Sequence, residues 1–459
     1  MKSLRKILPE DRFSIETEDI ICYGYDASGI DVTPQAVVWP HDTTDVIKLA
    51  RFAHENDYAI IPRGAGTGLT GGAVPTENSI LLSFEKMNAI VDVDTENLNV
   101  MVEPGVVNGD LQKELDAKGY FYPPDPASLA TCTIGGNVAE NAGGPRALKY
   151  GVTRDYVMQL EAVLPDGTLF TTGVQTSKGV VGYDLTRLLV GSEGTLAIIT
   201  KIRLKVLPKP ESIITLLSAF PSLELAGKTV SRIIASGIIP RTLEIMDNMT
   251  LQAVNRYKNV GFPEDVEALL LIEADGNRRA IAQEAEKIFT ICNEFQGKIK
   301  IAESEQSREY LWEARRVISP ALYRLSPTKI NEDIVVPISK VPELLSGLNK
   351  LSSRSGIPIA CFGHAGDGNI HANIMTDRHN KENYQRASNL IKEIFELTLN
   401  LGGTISGEHG VGLTKARYID MELDMTNLTL MRGIKKLFDP KNILNPGKIF
   451  PEDKKTVQR

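Results

Sequence analysis

The sequence predicts a protein of mixed α/β or α+β class, organised in two or three domains, and three observations predict it. The chain has 459 residues, enough for each domain to bury its own core at roughly 100–200 residues per domain. Short strand-like and helix-like segments alternate from Gln35 to about Leu207. After Pro208-Lys209-Pro210 the pattern lengthens into helical periods with few strands, which sets a boundary near residue 210.

The elements follow in order. Ala36–Trp39 reads as a strand, Thr44–Asn56 as a helix that Asp42, Thr43 or Thr44 can cap and Asn56-Asp57 stops, and Tyr58–Ile61 as the next strand. Further strands are expected at Ser79–Phe84, Ala89–Val93, Asn99–Glu103, Leu160–Leu164 and Leu196–Val206, with an amphipathic helix at Asn108–Gly119 ended by its glycine. Beyond residue 210, strands at Ile213–Ala219 and Ala268–Ala274 stand among helices in a second domain ending near residue 420. The tail, 421–459, with Asp439-Pro440 and Asn445-Pro446-Gly447-Lys448, reads as a helix and a loop returning to the first domain.

Composition narrows the function. Hydrophobic residues at 42% and charged residues at 24% exclude a disordered chain, and no apolar run approaches the roughly 18 residues of a spanning helix. A formal charge of −7 argues against nucleic acid as the main partner. Lys2, Arg5 and Lys6 run straight into Pro9-Glu10-Asp11 with no apolar signal core, so a cytoplasmic protein is expected, at a membrane only through a partner. Cys22, Cys132, Cys292 and Cys361 show no C-x-x-C spacing, so neither a disulfide framework nor an iron–sulfur cluster is expected.

Glycine is densest between Pro62 and Gly194. Pro62-Arg63-Gly64-Ala65-Gly66-Thr67-Gly68-Leu69-Thr70-Gly71-Gly72 matches G-x-G-x-x-G formally, but a Rossmann fingerprint must open a helix, and Gly72 and Pro75 break any helix here. What remains is a loop of successive backbone N–H groups, suited to a pyrophosphate. Thr133–Gly144, preceded by Pro123-Pro124-Asp125-Pro126, is a second such loop; Gly151–Asp155 and Gly191–Thr195 are two more. Four in one domain point to an extended ligand of dinucleotide kind.

Only six histidines occur, and three lie in His364-Ala365-Gly366-Asp367-Gly368-Asn369-Ile370-His371-Ala372-Asn373 and Gly407-Glu408-His409-Gly410. A two-residue hairpin turn at Asp367-Gly368 would set His364 directly opposite His371, with Cβ atoms about 4.5–5.5 Å apart and Asn373 on the same face. Two imidazoles with Glu408 make a metal set with open positions, of the catalytic kind, suited to zinc, manganese or iron(II). His409 is then the general base.

The order of Pro-Arg-Gly-x-Gly-Thr-Gly, Pro-Pro-Asp-Pro, Thr-Ile-Gly-Gly-Asn, Gly-x-Thr-Arg-Asp and Gly-Ser-Glu-Gly-Thr resembles the vanillyl-alcohol-oxidase-type FAD-binding domain. More closely, the chain is similar to the glycolate oxidase flavoprotein subunits and the D-lactate and D-2-hydroxyglutarate dehydrogenases. The resemblance implies an α+β architecture, a two-lobed FAD domain followed by a substrate (cap) domain with an antiparallel sheet. It implies FAD with its pyrophosphate on Arg63, Gly64, Ala65, Gly66, Thr67 and Gly68 and its flavin ring near Thr133, Gly136, Asn137, Gly143 and Gly144. Pro62, Pro126, Thr153, Glu193, Gly194 and Asn445 are the further contacts it implies. With no histidine between His54 and His364, the flavin is expected to be non-covalent.

The motifs H-x-G-D-G-N-x-H-x-N and G-E-H-G match in turn, which implies metal on His364, His371 and Glu408, substrate contact by Asn373 and proton removal by His409. Leu311-Trp312-Glu313-Ala314-Arg315 implies Arg315 as the carboxylate clamp, Arg316 being the alternative, and Ser319 one turn on can hydrogen-bond the acid. One position departs: the D-2-hydroxyglutarate enzymes carry a lysine where this chain has Asn331-Glu332-Asp333 before Pro337, which favours a monocarboxylate such as D-lactate or glycolate. Oxidation to the 2-oxo acid would pass a hydride to flavin N5, and electrons would leave to an iron–sulfur subunit, an electron-transferring flavoprotein or a quinone. The contrasting expectation is a nonenzymatic FAD-binding electron-transfer or scaffold subunit.

Overall fold

Three stretches of chain make the first of two units: residues up to Gly143, Gly151–Lys209, and Glu408 onward. The second takes Gly144–Tyr150 and Pro210–Gly407. The computed structural model describes residues 2–451 apart from 259, 261, 263 and 264. Two boundaries differ from expectation. The chain leaves the second unit at Glu408 rather than near residue 420, and Gly144–Tyr150 belongs to the second unit although both its flanks lie in the first. The reason is local: Lys149 Nζ bonds the Asp275 carboxylate at 2.5 Å and Tyr150 Oη donates to the same group at 2.8 Å.

In the first unit, strands β1 (Phe13–Ser14), β2 (Ala36–Val38), β3 (Ala59–Arg63) and β4 (Ser79–Ser83) form a sheet in the order β1-β2-β4-β3, with β2, β4 and β3 parallel. β5 (Ile90–Asp94), β6 (Asn99–Val102), β8 (Val157–Val163), β9 (Leu169–Gly173) and β10 (Ile198–Lys205) form an antiparallel sheet, β5-β6-β10-β8-β9, while β7 (Tyr120–Phe121) pairs with β11 (Leu207–Pro208). The helix Thr43–Asn56 starts where Asp42 accepts from Asp45 N at 3.0 Å and stops where Asp57 turns left-handed. Its apolar face (Val46, Leu49, Ala50, Ala53) packs on Ile60, Ile80 and Leu82. The returning tail joins the same core through Ile443 and Leu444, and Ile60 N donates to Ile443 O.

One expected loop is helical. Residues 134–140 are a helix, Ile134–Glu140, capped by Thr133, whose hydroxyl accepts from Gly136 N at 3.3 Å. Gly135 serves close approach rather than looseness: a Cβ there would sit 2.6 Å from Pro104 Cβ. The residue 64–72 loop, by contrast, opens no helix, and the next element is β4.

The second unit is built on a seven-stranded antiparallel sheet. β12 (Ser212–Phe220), β13 (Thr242–Asp247), β14 (Ala268–Gly276), β15 (Lys298–Ile301), β16 (Thr328–Val335), β17 (Ile359–His364) and β18 (Asn369–Thr376) run in the order β15-β12-β14-β13-β17-β18-β16. The helices Asn248–Lys258, Glu305–Arg316 and Ile318–Leu322 cover one face, packing Leu251, Ala314 and Ile318 on Met246, Leu271 and Phe362. Among the described residues no helix is long and apolar enough to cross a membrane.

Candidate functional site

In the first unit a cavity is walled by the whole Pro62–Gly68 loop and by Pro126, Thr133, Gly136, Asn137, Gly143, Glu193, Gly194, Glu408 and His409. The loop lies against the Thr133 cap so closely that a Cβ on Gly64 would overlap its hydroxyl. Gly66 has φ +68, and a side chain there would run into the Arg63 guanidinium, which is 8% exposed and donates from Nη1 to Tyr25 O at 2.5 Å. Such packing is open only to glycine, and it leaves the cavity wall largely to backbone.

Three expected contacts lie elsewhere. Thr153 is fully buried and donates to Ala142 O at 2.7 Å; Asn445 is buried and donates to Gly72 O at 2.9 Å and Glu193 O at 2.7 Å; Gly144 groups with the second unit. The first two brace cavity loops from behind. Glu193 does reach the cavity, but its carboxylate accepts from Val411 N at 2.8 Å and Gly412 N at 2.7 Å. With Thr70 Oγ1 donating to His409 O at 3.0 Å, it fixes the Glu408-His409 segment on the glycine loop. Burial pushes the Glu193 carboxyl up, against those N–H groups and the Lys448 and Lys415 charges. Glu140, which sequence reasoning passed over, also lines the cavity, and burial, then Glu193 and Asp26, push its carboxyl well up. A pyrophosphate with a flat ring fits this wall, since the glycine loop presents backbone where a Cβ has no room and Pro62, Phe84 and Ile199 offer apolar surface.

In the second unit the hairpin register differs from expectation. His364 pairs with Asn369, and His371 with Phe362, so the turn is the four residues Ala365–Gly368. Gly368 has φ +89, and its Cα lies so close to Val336 that a Cβ would overlap the Val336 carbonyl oxygen. The shift is by two residues, which preserves the face. The two histidines are therefore diagonal neighbours, rings 5.4 Å apart and at 84°.

Around them the same face carries a buried network. Glu244 on β13, fully buried, accepts from Arg315 Nε at 2.7 Å and lies 2.6 Å from His364 Nδ1. Burial alone would raise the Glu244 carboxyl; the charges of His364 and Arg315 outweigh it and hold the group below its ordinary value. Arg315, 7% exposed, lies with its guanidinium carbon 4.8 Å from the centre of the Phe362 ring. Arg316 is exposed and pairs with Glu309, so the two arginines do not exchange roles. Asp333 on β16 accepts from Asn369 Nδ2 at 2.6 Å and Gly407 N at 2.9 Å, and its Oδ1 is 3.7 Å from His371 Nδ1.

Asn373, expected to touch substrate, is fully buried. Its amide donates to Ala360 O and His371 O, and its oxygen accepts from Asn331 Nδ2 at 2.7 Å. Its oxygen thereby supports Asn331. Ser319 accepts from Lys329 Nζ at 2.5 Å. Glu244 and Asp333 left no sequence signal, because each reaches the histidines only through strand pairing.

A backbone-walled cavity that suits a dinucleotide, and a buried arginine–carboxylate–histidine chain on a sheet face, fit a flavin-dependent oxidoreductase, the class to which the chain's family belongs. The chain belongs to the FAD-linked oxidases: residues 209–449 match the family described as "FAD linked oxidases, C-terminal domain", and residues 34–173 match "FAD binding domain". It is 44% identical to a Bacillus subtilis protein named glycolate oxidase subunit GlcD, over 98% of this chain and 97% of that one. It is 35% identical to a D-lactate dehydrogenase of Anaerostipes hadrus, over 91% and 89%. Among solved structures, p-cresol methylhydroxylase with substrate bound aligns with TM-score 0.84 at 18% identity, covering 98% of this chain and 97% of that one. The fold is therefore of the vanillyl-alcohol-oxidase type, and the protein is an FAD-dependent hydroxy-acid oxidoreductase rather than a nonenzymatic scaffold.

Proposed function

We propose that the protein oxidises a small D-2-hydroxy acid to the 2-oxo acid, with D-lactate and glycolate as the first candidates, and hands the electrons to a separate acceptor. The observation that carries this reading is the Arg315–Glu244–His364 chain, which is buried, charge-balanced and directed by a single carboxylate. Arg315 keeps its Nη1 edge for the substrate carboxylate, because Glu244 engages Nε and Nη2. Glu244 holds His364 through Nδ1, so Nε2 is the nitrogen offered to a ligand.

His364 and His371 are the donors for a divalent ion of zinc, manganese or iron(II) kind, and Glu408 joins them on the strength of its Gly-Glu-His-Gly motif. Bound there, such an ion would polarise the substrate hydroxyl. His409, in the wall of the first unit's cavity, takes the hydroxyl proton. Pro62–Gly68 and the Thr133–Gly143 wall would hold FAD non-covalently, and the cofactor would supply hydride-accepting chemistry for the substrate's α-hydrogen. Relatives named as subunits support a complex, and the scattered cysteines leave onward transfer to an iron–sulfur subunit, an electron-transferring flavoprotein or a quinone. The reading keeps the protein cytoplasmic, at a membrane only through that partner.

Anaerobic mixing of the purified protein with D- and L-lactate and glycolate, followed by flavin absorbance, tests it. Bleaching by one enantiomer is expected. A flavin untouched by every acid, in metal-loaded protein, would overturn it.

A further inference from the structure

The helix Glu305–Arg316 meets the sheet through two donors three residues apart. Arg315 donates from Nε to Glu244 on β13 at 2.7 Å, and Trp312 donates from Nε1 to Glu273 on β14 at 2.7 Å. Glu273 lies opposite Thr242 in the β13–β14 pairing, so Glu244 and Glu273 are diagonal neighbours on one face. Side chains three apart on a helix share one side, with Cβ atoms about 5–6 Å apart, and that side reaches both carboxylates. Glu273, 4% exposed, is itself held: Thr215 Oγ1 donates to it at 2.7 Å, and Arg241 Nε lies 3.6 Å from its Oε2. Arg241 Nη1 donates to Asp275 at 3.2 Å, and Asp275 accepts in turn from Lys149, so Glu273 and Asp275 are balanced by Arg241 and Lys149.

Arg315 needs such an anchor. It stands in the last turn of a helix that ends at Arg316 with Val317 as its cap, and last turns fray because their carbonyls lack intrahelical partners. The arginine side chain is long and can follow a shifted backbone. The Trp312 indole cannot: it has few side-chain torsions, packs against the apolar cluster of Leu271 and Phe362, and gives its one N–H to Glu273. We propose that Glu273 is a positioning residue for Arg315, setting through the Trp312 N–H the helical turn from which the guanidinium meets the substrate carboxylate. Glu244 then fixes which way the guanidinium faces, and Glu273 fixes where its helix stands. The inference deepens the hydroxy-acid reading and rests on it, since it takes Arg315 as the carboxylate clamp.

The experiment measures kcat and KM of the holoenzyme, for whichever of D-lactate and glycolate bleaches the parental flavin, in Glu273→Leu, Glu273→Gln and Trp312→Phe. KM should rise about tenfold in Glu273→Leu and in Trp312→Phe with kcat within about threefold of the parent, the pattern of lost binding rather than lost chemistry. Glu273→Gln keeps an oxygen for the indole N–H and should hold KM within about threefold of the parent. A parental KM in both Glu273→Leu and Trp312→Phe, or a fall in kcat at unchanged KM, would overturn the assignment. So would a Glu273→Gln as impaired as Glu273→Leu, by showing that the charge facing Arg241 matters and the indole bond does not. If no hydroxy acid bleaches the flavin, the reaction reading fails, and the positioning is still read in protein labelled with ¹⁵N-arginine. There the Arg315 Nε–H, identified by its loss in Arg315→Lys, should exchange with solvent at least tenfold faster in Glu273→Leu, although its own partner Glu244 is untouched. Equal exchange in the two proteins overturns the inference. Should Glu273→Leu not fold, Trp312→Phe, which keeps a ring in the apolar cluster and removes the N–H, carries both comparisons.

Discussion

The cavity of the first unit is lined along one continuous loop, Pro62–Gly68, and a helix cap, Thr133, where the decisive feature is the absence of side chains. The face of the second unit gathers Glu244, Arg315, Asp333, His364 and His371 from a helix and four strands, and the decisive feature is which charged side chain meets which. A backbone site tolerates chemical change and fails on volume; a side-chain site tolerates modest volume change and fails on charge. Substitutions can break that contrast.

The largest effect is expected at His409, the proposed general base, which lines the wall of the backbone site. His409→Ala should slow flavin reduction by something like 10²–10⁴ while FAD stays bound, because general-base contributions are of that order and the cavity keeps its loops. Stopped-flow reduction alongside a flavin-to-protein absorbance ratio checks both halves. Reduction at the parental rate would remove the base assignment.

Glu244→Ala comes next. It strands Arg315 and His364 in a site where Glu244 itself is 0% exposed, and removing one member of a buried charge chain costs about 3–5 kcal/mol. A lower urea midpoint with a raised KM is expected. Glu244→Gln, which keeps the shape and an acceptor, should recover part of the stability and less of the KM. Equal stability of both variants with the parent would mean that the chain is not charge-coupled.

Gly64→Ala tests the other region. One methyl overlaps the Thr133 hydroxyl, so either the loop or the helix cap must move. FAD affinity should fall roughly tenfold, about 1.4 kcal/mol, read by fluorescence of released flavin. An unchanged affinity would mean the loop does not shape the cofactor's seat.

These contrasts also explain what the sequence could reveal. The glycine loop was legible because a backbone cradle is local: Pro62–Gly68 carries its geometry in consecutive residues. The helix Ile134–Glu140 was not, since Gly135 and Gly136 oppose helix propensity, and the approach to Pro104 that explains Gly135 is not written in the local sequence. The histidine pair was legible, yet its register was not, because Asp367-Gly368 suggested a two-residue turn and only the Val336 carbonyl beside Gly368 shows why the turn is longer. Glu244 was invisible for a different reason. Glu244 lies 120 residues from His364, and nothing in either segment announces the strand order that joins them. Asn373 shows the converse: a motif residue whose position was plain and whose neighbours place it behind Asn331.

The smallest effect separates glycines that serve a close approach from those that do not. Gly433 lies inside the helix Met425–Phe438 in the first unit, and a Cβ there would meet nothing within 4 Å. No turn or ligand wall uses it. Alanine in an unhindered helix interior is favoured over glycine by about 0.8–1 kcal/mol, partly because the unfolded chain has less freedom to lose. Gly433→Ala should therefore raise the thermal midpoint by roughly 2–4 °C and leave FAD affinity at the parental value, the opposite sign from Gly64→Ala in the same unit. Loss of FAD affinity in Gly433→Ala would show that this helix couples to the cavity, and the division between a volume-sensitive wall and an indifferent surround would no longer hold.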